Sequence, residues 1–465
     1  MNRHAVDAVP TVDADPATDS PAVVHPAARL RGTLGVPGDK SISHRALMFG
    51  LLADGPSRIV GAGDGADVRS TARICRALGG SVEREVGDDA TVTYRIEGRG
   101  GSGLLESPGT LDCGNSGTSL RLFAGILAGS AITAILDGDE SLRRRPMSRI
   151  VDPLRAMGAR IEALGDQGRP PLAIDGRSVL DPIDWTTPVP SAQVKSAILL
   201  AGLRGSGTTR VTESVATRDH TERMLRARGI AVRTSPAGDG GVAIEIDGGT
   251  AVQAMDEVVP GDPSAAAFWL VAGTIHPDAD LTLQGVGTNP TRRGIIDLLI
   301  RMGASIDERP IADVAAWSSD PGAGEPRADL HVRSTTLRAI DVTPSEVAGA
   351  IDEIPILCLA ATQAAGQTTI RGAAELRNKE SDRLAGVADG LTALGAKIRV
   401  DGDDIVIDGP VRLRGAATDS LDDHRLAMTF AIAGLIAAGT TTVGRPTSAS
   451  ISYPGFFADL ERIRA

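Results

Sequence analysis

A helical segment that ends in a glycine recurs along the chain at intervals of about 70 to 90 residues, and leucine or methionine precedes the glycine in four of the five complete copies. Glycine at this place is typical of a helix that ends in a left-handed residue. A short alternating strand, as at 397–400, follows each complete copy. A sixth copy runs over 460–465 and stops where its glycine would stand. The complete copies end at Gly79, Gly158, Gly229, Gly303 and Gly395.

A second, more apolar helix also recurs six times. Its copies are rich in alanine and apolar on most faces, which is typical of a helix buried on several sides. They lie at 46–53, 120–128, 196–203, 265–272, 354–365 and 426–438. Repeats with two helices and several strands pack around common axes rather than as a solenoid. The six units therefore predict an α/β protein with two similar domains of three units each.

The helix starts carry charged and hydroxyl side chains rather than interchangeable caps. Free backbone N–H groups and the positive end of the helix dipole collect at such starts, which favours bound anions. Taken singly, each start is also consistent with an ordinary capped helix and solvated side chains. Together they predict a cleft of positive potential, and carboxylates among the cations indicate proton transfer there. The most notable are Lys40, Ser41, Arg45, Gly117, Arg121, Arg145, Ser191, Gln193, Lys195, Arg218, Asp262, Asp352, Glu353, Lys379, Glu380, Arg383, Asp423, His424 and Arg425.

Composition restricts the class of ligand. The formal net charge of −11 and the aromatic content of 2% argue against nucleic acid and against an anionic membrane surface. No apolar run reaches the roughly 18 residues of a membrane helix. Three cysteines without CxxC spacing predict reduced core residues and a cytoplasmic protein. A small anionic substrate in a local basic pocket fits these constraints.

Residues 1–28 show no periodicity and are rich in Ala, Pro, Asp and Val. They lack the basic start and apolar centre of a signal peptide. This composition predicts a disordered tail. A second irregular stretch, rich in Pro, Gly and Asp, lengthens the fourth unit near 318–327 and predicts a surface loop.

Two motifs resemble nucleotide-binding motifs, but neither supports a nucleotide-binding site. Asp39 stands before Lys40 where a P-loop requires glycine. The glycine-rich turn at 61–65 resembles a dinucleotide fingerprint, but the equivalent turn of the third unit, at 212–217, has no glycine. The histidines show no metal-ligand spacing. We therefore predict neither a metal nor a cofactor.

Six motifs at the helix starts, taken together, resemble the EPSP synthase family, the 3-phosphoshikimate 1-carboxyvinyltransferases, and the resemblance runs from about Leu30 to the C-terminus. The Arg-Pro-Met form is similar to the bacterial class II-like branch. The motifs are Gly38-Asp39-Lys40-Ser41-Ile42-Ser43-His44-Arg45, Gly114-Asn115-Ser116-Gly117-Thr118, Arg145-Pro146-Met147, Ser191-Ala192-Gln193-Val194-Lys195, Lys379-Glu380-Ser381-Asp382-Arg383-Leu384 and Asp423-His424-Arg425.

The resemblance implies the enolpyruvyl transferase fold, an inside-out α/β barrel. Each of its two domains has three βαβαββ-type units with pseudo-threefold symmetry, and two crossovers join the domains. One domain would comprise 30–38 plus 259–465 and the other 39–258, with the active site in the cleft between them. The family also suggests a monomer.

The implied reaction transfers the enolpyruvyl group of phosphoenolpyruvate to the 5-hydroxyl of shikimate 3-phosphate and releases phosphate. By resemblance, Asp352 is the base for the hydroxyl, Glu380 relays a proton to carbon, and Lys40 is the third catalytic residue. Lys379 would neutralise charge between the substrates. The resemblance assigns shikimate 3-phosphate to Lys40, Ser41, Arg45, Ser191, Ala192, Gln193, Arg218, Asp352 and Lys379. It assigns phosphoenolpyruvate to Lys40, Gly117, Arg145, Gln193, Arg383 and Arg425.

The sequence departs from the family pattern near its C-terminus. Some members carry a lysine shortly before the aromatic-Pro pair, which here is Tyr453-Pro454 without that lysine. Gly117 stands where tolerant members have alanine, whose methyl group would crowd glyphosate more than phosphoenolpyruvate. We therefore expect glyphosate to inhibit this chain.

Two other functions are compatible with an anion cleft. The first is transfer of enolpyruvate to UDP-N-acetylglucosamine on the same fold. That sister family has a cysteine in the loop before its Arg-Pro, and the loop at 139–144 here has none. The second is a non-catalytic anion-binding protein, against which the two carboxylates of Asp352 and Glu380 argue.

Overall fold

The computed structural model describes residues 20–87, 90–106, 109–238, 240–311 and 324–464. Most of the insert expected near 318–327 lies outside these ranges. Six helices are buried along most of their length, as the apolar repeat predicts. They are α1 (Lys40–Leu52), α3 (Gly117–Ala128), α6 (Ala192–Gly202), α8 (Pro263–Ile275), α11 (Ile354–Thr362) and α13 (His424–Gly434).

Six amphipathic helices alternate with the buried ones and confirm the repeat of helices that end in glycine. The five predicted glycines follow them with φ between 82° and 102°, the left-handed region that ends a helix at low cost in glycine. Two short helices, α4 (Glu140–Arg143) and α10 (Pro344–Gly349), are additions to the repeat. The amphipathic helices are α2 (Ala66–Ala77), α5 (Ser148–Ala156), α7 (His220–Ala227), α9 (Gly294–Met302), α12 (Arg383–Ala393) and α14 (Phe456–Ile463).

The strands of the described residues are short, and they form six separate sheets. In chain order they are β1 (Ala22–Val24), β2 (Leu30–Gly35), β3 (Pro56–Val60), β4 (Ser81–Val86), β5 (Val92–Glu97), β6 (Leu111–Asp112), β7 (Thr133–Asp137), β8 (Arg160–Gly165), β9 (Arg169–Asp175), β10 (Asp184–Thr186), β11 (Thr208–Glu213), β12 (Val232–Ala237), β13 (Gly241–Asp247), β14 (Glu257–Val258), β15 (Ala279–Gly287), β16 (Ser305–Pro310), β17 (Arg327–Arg333), β18 (Asp341–Val342), β19 (Gly366–Ile370), β20 (Lys397–Asp401), β21 (Asp404–Gly409), β22 (Ala417–Asp419) and β23 (Thr441–Gly444).

Five of the sheets have four strands in a common arrangement. In the sheet β6-β7-β9-β8, for example, β6 runs parallel to β7, and β9 is antiparallel to both β7 and β8. A buried helix connects the two parallel strands, and an amphipathic helix leads into the antiparallel hairpin. Each of these five units is therefore a βαβαββ unit, and the α/β fold class is confirmed.

Two units obtain their first strand from a distant part of the chain. β2 pairs in parallel with β15, although the whole of 39–258 separates them. In return, β14 pairs in parallel with β3. The chain thus crosses between the two halves of the molecule twice, once after each of these strands.

The sixth sheet is completed by the N-terminal segment, with strand order β1-β23-β22. β1 is antiparallel to β23, with Val24 opposite Thr441, and Val24 is only 1% exposed. The prediction of a disordered tail over 1–28 is therefore wrong for Ala22–Val24. β1, whose two valines are β-branched and favour a strand, occupies the position beside β23 that a hairpin occupies in the other units. Residues 1–19 lie outside the described part of the chain.

The buried side chains form two hydrophobic cores. One consists of residues between Ile42 and Val259, and we call this half the central lobe. The other combines Val24, Leu30 and Leu34 with residues between Ala265 and Ile463, and we call it the terminal lobe. In the central lobe α3 packs on α1 and α6; in the terminal lobe α11 packs on α8 and α13. Cys75, Cys113 and Cys358 are buried and free.

The two crossovers run side by side between the lobes. The backbone N–H of Asp39 donates to the carbonyl of Pro260, and that of Asp262 donates to the carbonyl of Pro37, each at 2.8 Å. Asp39 caps α1 and Asp262 caps α8. The buried guanidinium of Arg292 lies 3.0 Å from Asp262 and 3.5 Å from Asp39. One arginine therefore contacts both crossovers. No helix among the described residues is long and apolar enough to span a bilayer.

Candidate active site

The N-terminal turns of the three buried helices of the central lobe are linked by side-chain hydrogen bonds. Arg121 in α3 donates to the Oε1 atom of Gln193 in α6. Arg45 in α1 donates from Nη2 to Oγ of Ser196 in α6, at 2.8 Å. The positive ends of α1, α3 and α6 are thereby brought to one place.

The same series of contacts continues into the terminal lobe. The backbone N–H of Lys40, at the start of α1, lies 3.3 Å from Oδ2 of Asp262, the cap of α8. Ser264 in α8 donates to Glu353, the cap of α11. Glu353 in turn lies 3.9 Å from Nη1 of Arg425, in the first turn of α13. All six buried helices therefore start at one cleft between the lobes.

Lys40 presents its ammonium group on the central-lobe side of this cleft. Its Nζ lies 3.1 Å from Oδ2 of Asp67, at the start of α2. Asp67 raises the pKa of Lys40, against the opposing effect of burial. The other carboxylate oxygen of Asp67 is buried and has no hydrogen-bond partner in the described part of the chain. Asp67 therefore keeps Lys40 protonated and oriented, ready for an anion.

Two cationic side chains lie together at the start of α3. A Cβ added to Gly117 would lie 2.9 Å from Nη1 of Arg121 and 3.1 Å from Nη1 of Arg145. Burial and the neighbouring charge of Arg145 lower the pKa of Arg121 to about 10. Among the described residues neither arginine forms an ion pair with a carboxylate. Gln193 lies beside them and donates from Nε2 to Oγ1 of Thr118, at 2.9 Å.

Arg45 is buried and its hydrogen-bond partners are neutral. Its guanidinium donates to Oγ1 of Thr221 at 2.7 Å, to Oγ of Ser196 at 2.8 Å and to the carbonyl of Ser41 at 2.9 Å. Burial lowers its pKa to about 10, so the side chain stays a cation at neutral pH. A buried cation among neutral oxygens is favourable for binding an anionic group.

Ser191 and Arg218 mark the start of the third unit's two helices. Ser191 is the cap of α6, and Ala192 is the first residue of that helix. Arg218 precedes α7 and extends across the cleft, where its Nη2 lies 2.9 Å from Oδ2 of Asp352. Both side chains belong to the central lobe, and Asp352 belongs to the terminal lobe.

Asp352 is surrounded by cations. Besides Arg218, it lies 3.3 Å from Nζ of Lys379 and 3.5 Å from Nη1 of Arg383. Burial alone would raise the pKa of Asp352, but Lys379, Arg425, Arg218 and Arg383 together lower it well below its ordinary value. The group is therefore a carboxylate at neutral pH and can accept a proton or a hydrogen bond.

Arg383 connects the second carboxylate of the cleft to the first. Its guanidinium donates to Glu380 at 2.5 Å and to the buried Asp423 at 2.7 Å. Burial alone would raise the pKa of Glu380, but the positive charges of Arg383 and Lys40 lower it below its ordinary value. Arg383 is 1% exposed, so this arrangement is held rigidly.

His424 and Arg425 begin α13 at the same edge. Both ring nitrogens of His424 are buried without a hydrogen-bond partner in the described residues. Burial, followed by Arg425 and Arg383, lowers the pKa of His424 well below its ordinary value, so the ring is neutral. Nε of Arg425 likewise has no hydrogen-bond partner among the described residues, and the ion pair of this guanidinium with Glu353 is long, at 3.9 Å.

The residues predicted from the sequence are divided between the two lobes. Lys40, Ser41, Arg45, Gly117, Arg145, Ser191, Ala192, Gln193 and Arg218 belong to the central lobe, and Asp352, Lys379, Glu380, Arg383 and Arg425 to the terminal lobe. Arg121 received no substrate assignment, although its place one helical turn after Gly117 was a usable signal. No sequence signal indicates Asp67, because its partner lies 27 residues away. In the described residues no cluster of His, Cys, Asp or Glu could hold a metal ion.

Comparison with known proteins assigns the family. A family model described as EPSP synthase (3-phosphoshikimate 1-carboxyvinyltransferase) matches residues 24–460. A relative from Gloeobacter violaceus named 3-phosphoshikimate 1-carboxyvinyltransferase is 50% identical over 442 residues, with 95% of this chain and 98% of the relative covered. One of the same name from Citrifermentans bemidjiense is 47% identical over 440 residues, with the same coverage.

Solved structures agree with this assignment. An EPSP synthase from Acinetobacter baumannii superposes with a TM-score of 0.83 at 41% identity, covering 95% of this chain and 97% of that chain. The enolpyruvyl transferase NikO from Streptomyces tendae superposes with a TM-score of 0.74 at 21% identity, covering 96% and 97%, which is a likeness of fold alone. The chain, with its two three-unit lobes and its cleft of cations and carboxylates, therefore belongs to the EPSP synthase family of transferases.

Proposed function

We propose that this chain transfers the enolpyruvyl group of phosphoenolpyruvate to the 5-hydroxyl of shikimate 3-phosphate and releases phosphate. One observation carries the proposal beyond family membership. Asp352 and Glu380, the two carboxylates expected to move protons, both pair with the guanidinium of Arg383 and so face the same cleft. The reaction requires one proton taken from a hydroxyl and one delivered to a methylene carbon.

Shikimate 3-phosphate would bind chiefly to the central lobe. The buried cation Arg45 and the hydroxyl groups of Ser41 and Ser191 suit its phosphate. The backbone N–H groups at Ala192 and Gln193 belong to the first turn of α6 and add free donors. Arg218, Lys379 and Lys40 would complete the site, and the sugar-like ring would place its 5-hydroxyl beside Asp352.

Phosphoenolpyruvate would bind between the lobes. Its phosphate and carboxylate need cations from more than one direction, and Lys40 and Arg145 approach from one wall. Arg383 and Arg425 approach from the other wall. The absence of a side chain at Gly117 leaves room beside Arg145, and Gln193 would contact both substrates.

Substrate binding would adjust the two carboxylates for proton transfer. In the structure described, cations lower the pKa of both Asp352 and Glu380. Anionic substrates would share those cations, which raises the pKa of each carboxylate towards neutrality. Asp352 then becomes a better base for the hydroxyl, and Glu380 can carry a proton to the methylene carbon. Lys40, beside Glu380, would neutralise the charge that develops on the intermediate.

We also infer the domain organisation that this chemistry uses. The proposed domains are 30–38 plus 259–465 and 39–258, with the hinge at the paired crossovers. Closure of the cleft would exclude water and bring both walls onto the substrates. Each domain supplies part of the site within one chain, so a monomer is sufficient for activity.

The test measures phosphate release from phosphoenolpyruvate, with and without shikimate 3-phosphate. Wild-type release should require shikimate 3-phosphate, and Glu380→Gln should lower kcat by about 10²- to 10⁴-fold. Glu375→Gln is the matched control, because Glu375 is exposed five residues earlier in the same segment. Release with UDP-N-acetylglucosamine instead would assign the sister activity. No release with either acceptor, but intact binding, would leave an anion-binding protein.

A further inference from the structure

A fully buried lysine lies between two fully buried glutamates behind the start of α6. Nζ of Lys195 lies 3.0 Å from Oε2 of Glu213, at the end of β11, and 2.8 Å from Oε1 of Glu222, in α7. The three side chains are between 0% and 4% exposed. Two carboxylates for one ammonium leave a net negative charge in the interior, which is costly unless hydrogen bonds compensate it.

The two glutamates differ in what else they contact. Oε1 of Glu213 accepts from the backbone N–H of Ser191 at 3.2 Å. Its two oxygens also accept from Oγ1 of Thr217, at 2.9 and 2.8 Å, and Oε2 accepts from the backbone N–H of Thr217 at 3.4 Å. Glu222, by contrast, contacts Lys195 alone, and its Oε2 has no partner in the described residues.

Glu213 therefore joins two separate loops to one rigid point at the end of a strand. The loop at 187–191 leads into α6 and ends in Ser191, followed by Ala192 and Gln193. The loop at 214–219 leads into α7 and carries Arg218, the residue after Thr217. The backbone donors of both loops bind one carboxylate, and Lys195 fixes where that carboxylate lies.

We propose that Glu213 is a positioning residue of the shikimate 3-phosphate site, with Lys195 as its counter-ion. The inference rests on the proposed function, because that function assigns Ser191 and Arg218 to this substrate. Glu213 is too deeply buried to contact the substrate itself. It sets the distance between the two loops, and hence between the hydroxyl of Ser191 and the guanidinium of Arg218.

The structure also predicts which substrate is affected. Gln193, which follows the first loop, is held by Arg121 and Thr118 rather than by Glu213. Lys40 begins α1 and Arg145 lies between α4 and α5, and among the described residues neither side chain forms a hydrogen bond or ion pair with either loop. Loss of the Glu213 hydrogen bonds should therefore disturb shikimate 3-phosphate and leave phosphoenolpyruvate largely unaffected.

The experiment compares Glu213→Gln with Glu222→Gln. Both changes remove one buried carboxylate charge from the same lysine, but only Glu213 holds the loops. Steady-state kinetics give kcat and the KM of each substrate, and calorimetry gives the Kd of shikimate 3-phosphate. Glu213→Gln should raise the KM and Kd of shikimate 3-phosphate by about tenfold or more, with the KM of phosphoenolpyruvate changed less than about threefold. Glu222→Gln breaks no hydrogen bond to either loop, although Glu222 also acts electrostatically on Arg45. It should raise the KM and Kd of shikimate 3-phosphate at least about threefold less than Glu213→Gln does.

A milder variant protects the test against misfolding. Thr217→Val keeps the shape of the side chain and removes only the hydroxyl that donates to Glu213. It should raise the Kd of shikimate 3-phosphate by about threefold or more. If Glu213→Gln does not unfold cooperatively, the Kd of Thr217→Val for shikimate 3-phosphate is the decisive measurement. A Kd equal to that of the wild type would then overturn the proposal.

Two other outcomes would also overturn it. The first is an equal effect of Glu213→Gln and Glu222→Gln on shikimate 3-phosphate, which would indicate loss of interior charge alone. The second is an equal rise in the KM of both substrates. Failure of the proposed function looks different, because then the wild type itself releases no phosphate. In that case calorimetry, which needs no turnover, still compares the Kd of shikimate 3-phosphate between the variants. A wild type that does not bind shikimate 3-phosphate would refute both proposals.

Discussion

Arg218 and Asp352 form an ion pair across the cleft, with 2.9 Å between Nη2 and Oδ2. If Asp352 takes the proton of the substrate hydroxyl, Asp352→Asn should lower kcat by about 10²- to 10⁴-fold, because asparagine cannot accept that proton. The KM of shikimate 3-phosphate should change far less. Asp389→Asn is the control, since Asp389 is exposed on α12. A variant at Asp352 that keeps most of its kcat would exclude the residue as the base.

Gly117→Ala should weaken inhibition by glyphosate. We expect glyphosate to compete with phosphoenolpyruvate and to be the longer molecule. The new methyl carbon would lie 2.9 Å from Arg121 and 3.1 Å from Arg145, so these guanidinium groups must move. The inhibition constant should rise by about tenfold or more, and the KM of phosphoenolpyruvate by less.

The control for Gly117→Ala is Gly35→Ala, where nothing lies within 4 Å of the added carbon. Both constants should stay at their wild-type values in that variant. A wild-type inhibition constant in the millimolar range would contradict the expected sensitivity.

His44 should make stability fall as the solution becomes acidic. Burial lowers its pKa from 6.5 to about 3, so the folded ring stays neutral where the unfolded ring is protonated. Below pH 6.5 the unfolded state binds one more proton, and the free energy of unfolding falls by about 1.4 kcal/mol per pH unit. His44→Asn should remove this slope.

Urea unfolding at pH 6.5 and pH 5.0 measures the effect. The wild type should lose about 2 kcal/mol more than His44→Asn over this interval, after any constant difference between them is subtracted. Equal losses in the two proteins would show that His44 is protonated in the folded state, or that it contributes nothing.

The N-terminal strand should contribute to stability through one of its two valines. Val24 is 1% exposed against β23, and Val23 is 53% exposed. Val24→Asp buries an unpaired carboxylate and should lower the free energy of unfolding by about 3 kcal/mol or more. Val23→Asp should change it by about 0.5 kcal/mol or less. Thermal unfolding of both variants measures the difference, and equal melting temperatures would contradict the role of β1.

The repeat could be predicted because its signals are local. A glycine such as Gly303 ends a helix by its own backbone preference, and the apolar run of α8 demands burial on every side. The cleft followed from the same reasoning, since helix starts with cations such as Lys40 and Arg425 attract anions wherever they meet.

What the sequence did not reveal depends on contacts between distant residues. The sequence predicts a disordered tail at β1, because three residues carry too little pattern and the partner strand β23 lies near the other end of the chain. Glu213 sits in an ordinary strand, and only the folded structure brings it to Ser191 and Lys195. Counting repeats in the sequence likewise cannot show that β2 pairs with β15 and that β14 pairs with β3.

This pairing of distant strands has a consequence for synthesis on the ribosome. The central lobe is one continuous stretch of the chain, and β14 is its last strand. All of its strands have therefore left the ribosome before the terminal lobe is complete, so the central lobe can finish folding first. β2 is made before any of it, yet its partner β15 is made only afterwards. Throughout translation of the central lobe, β1 and β2 are strands without a sheet. They are the part of the nascent chain most open to wrong pairing and to capture by a chaperone.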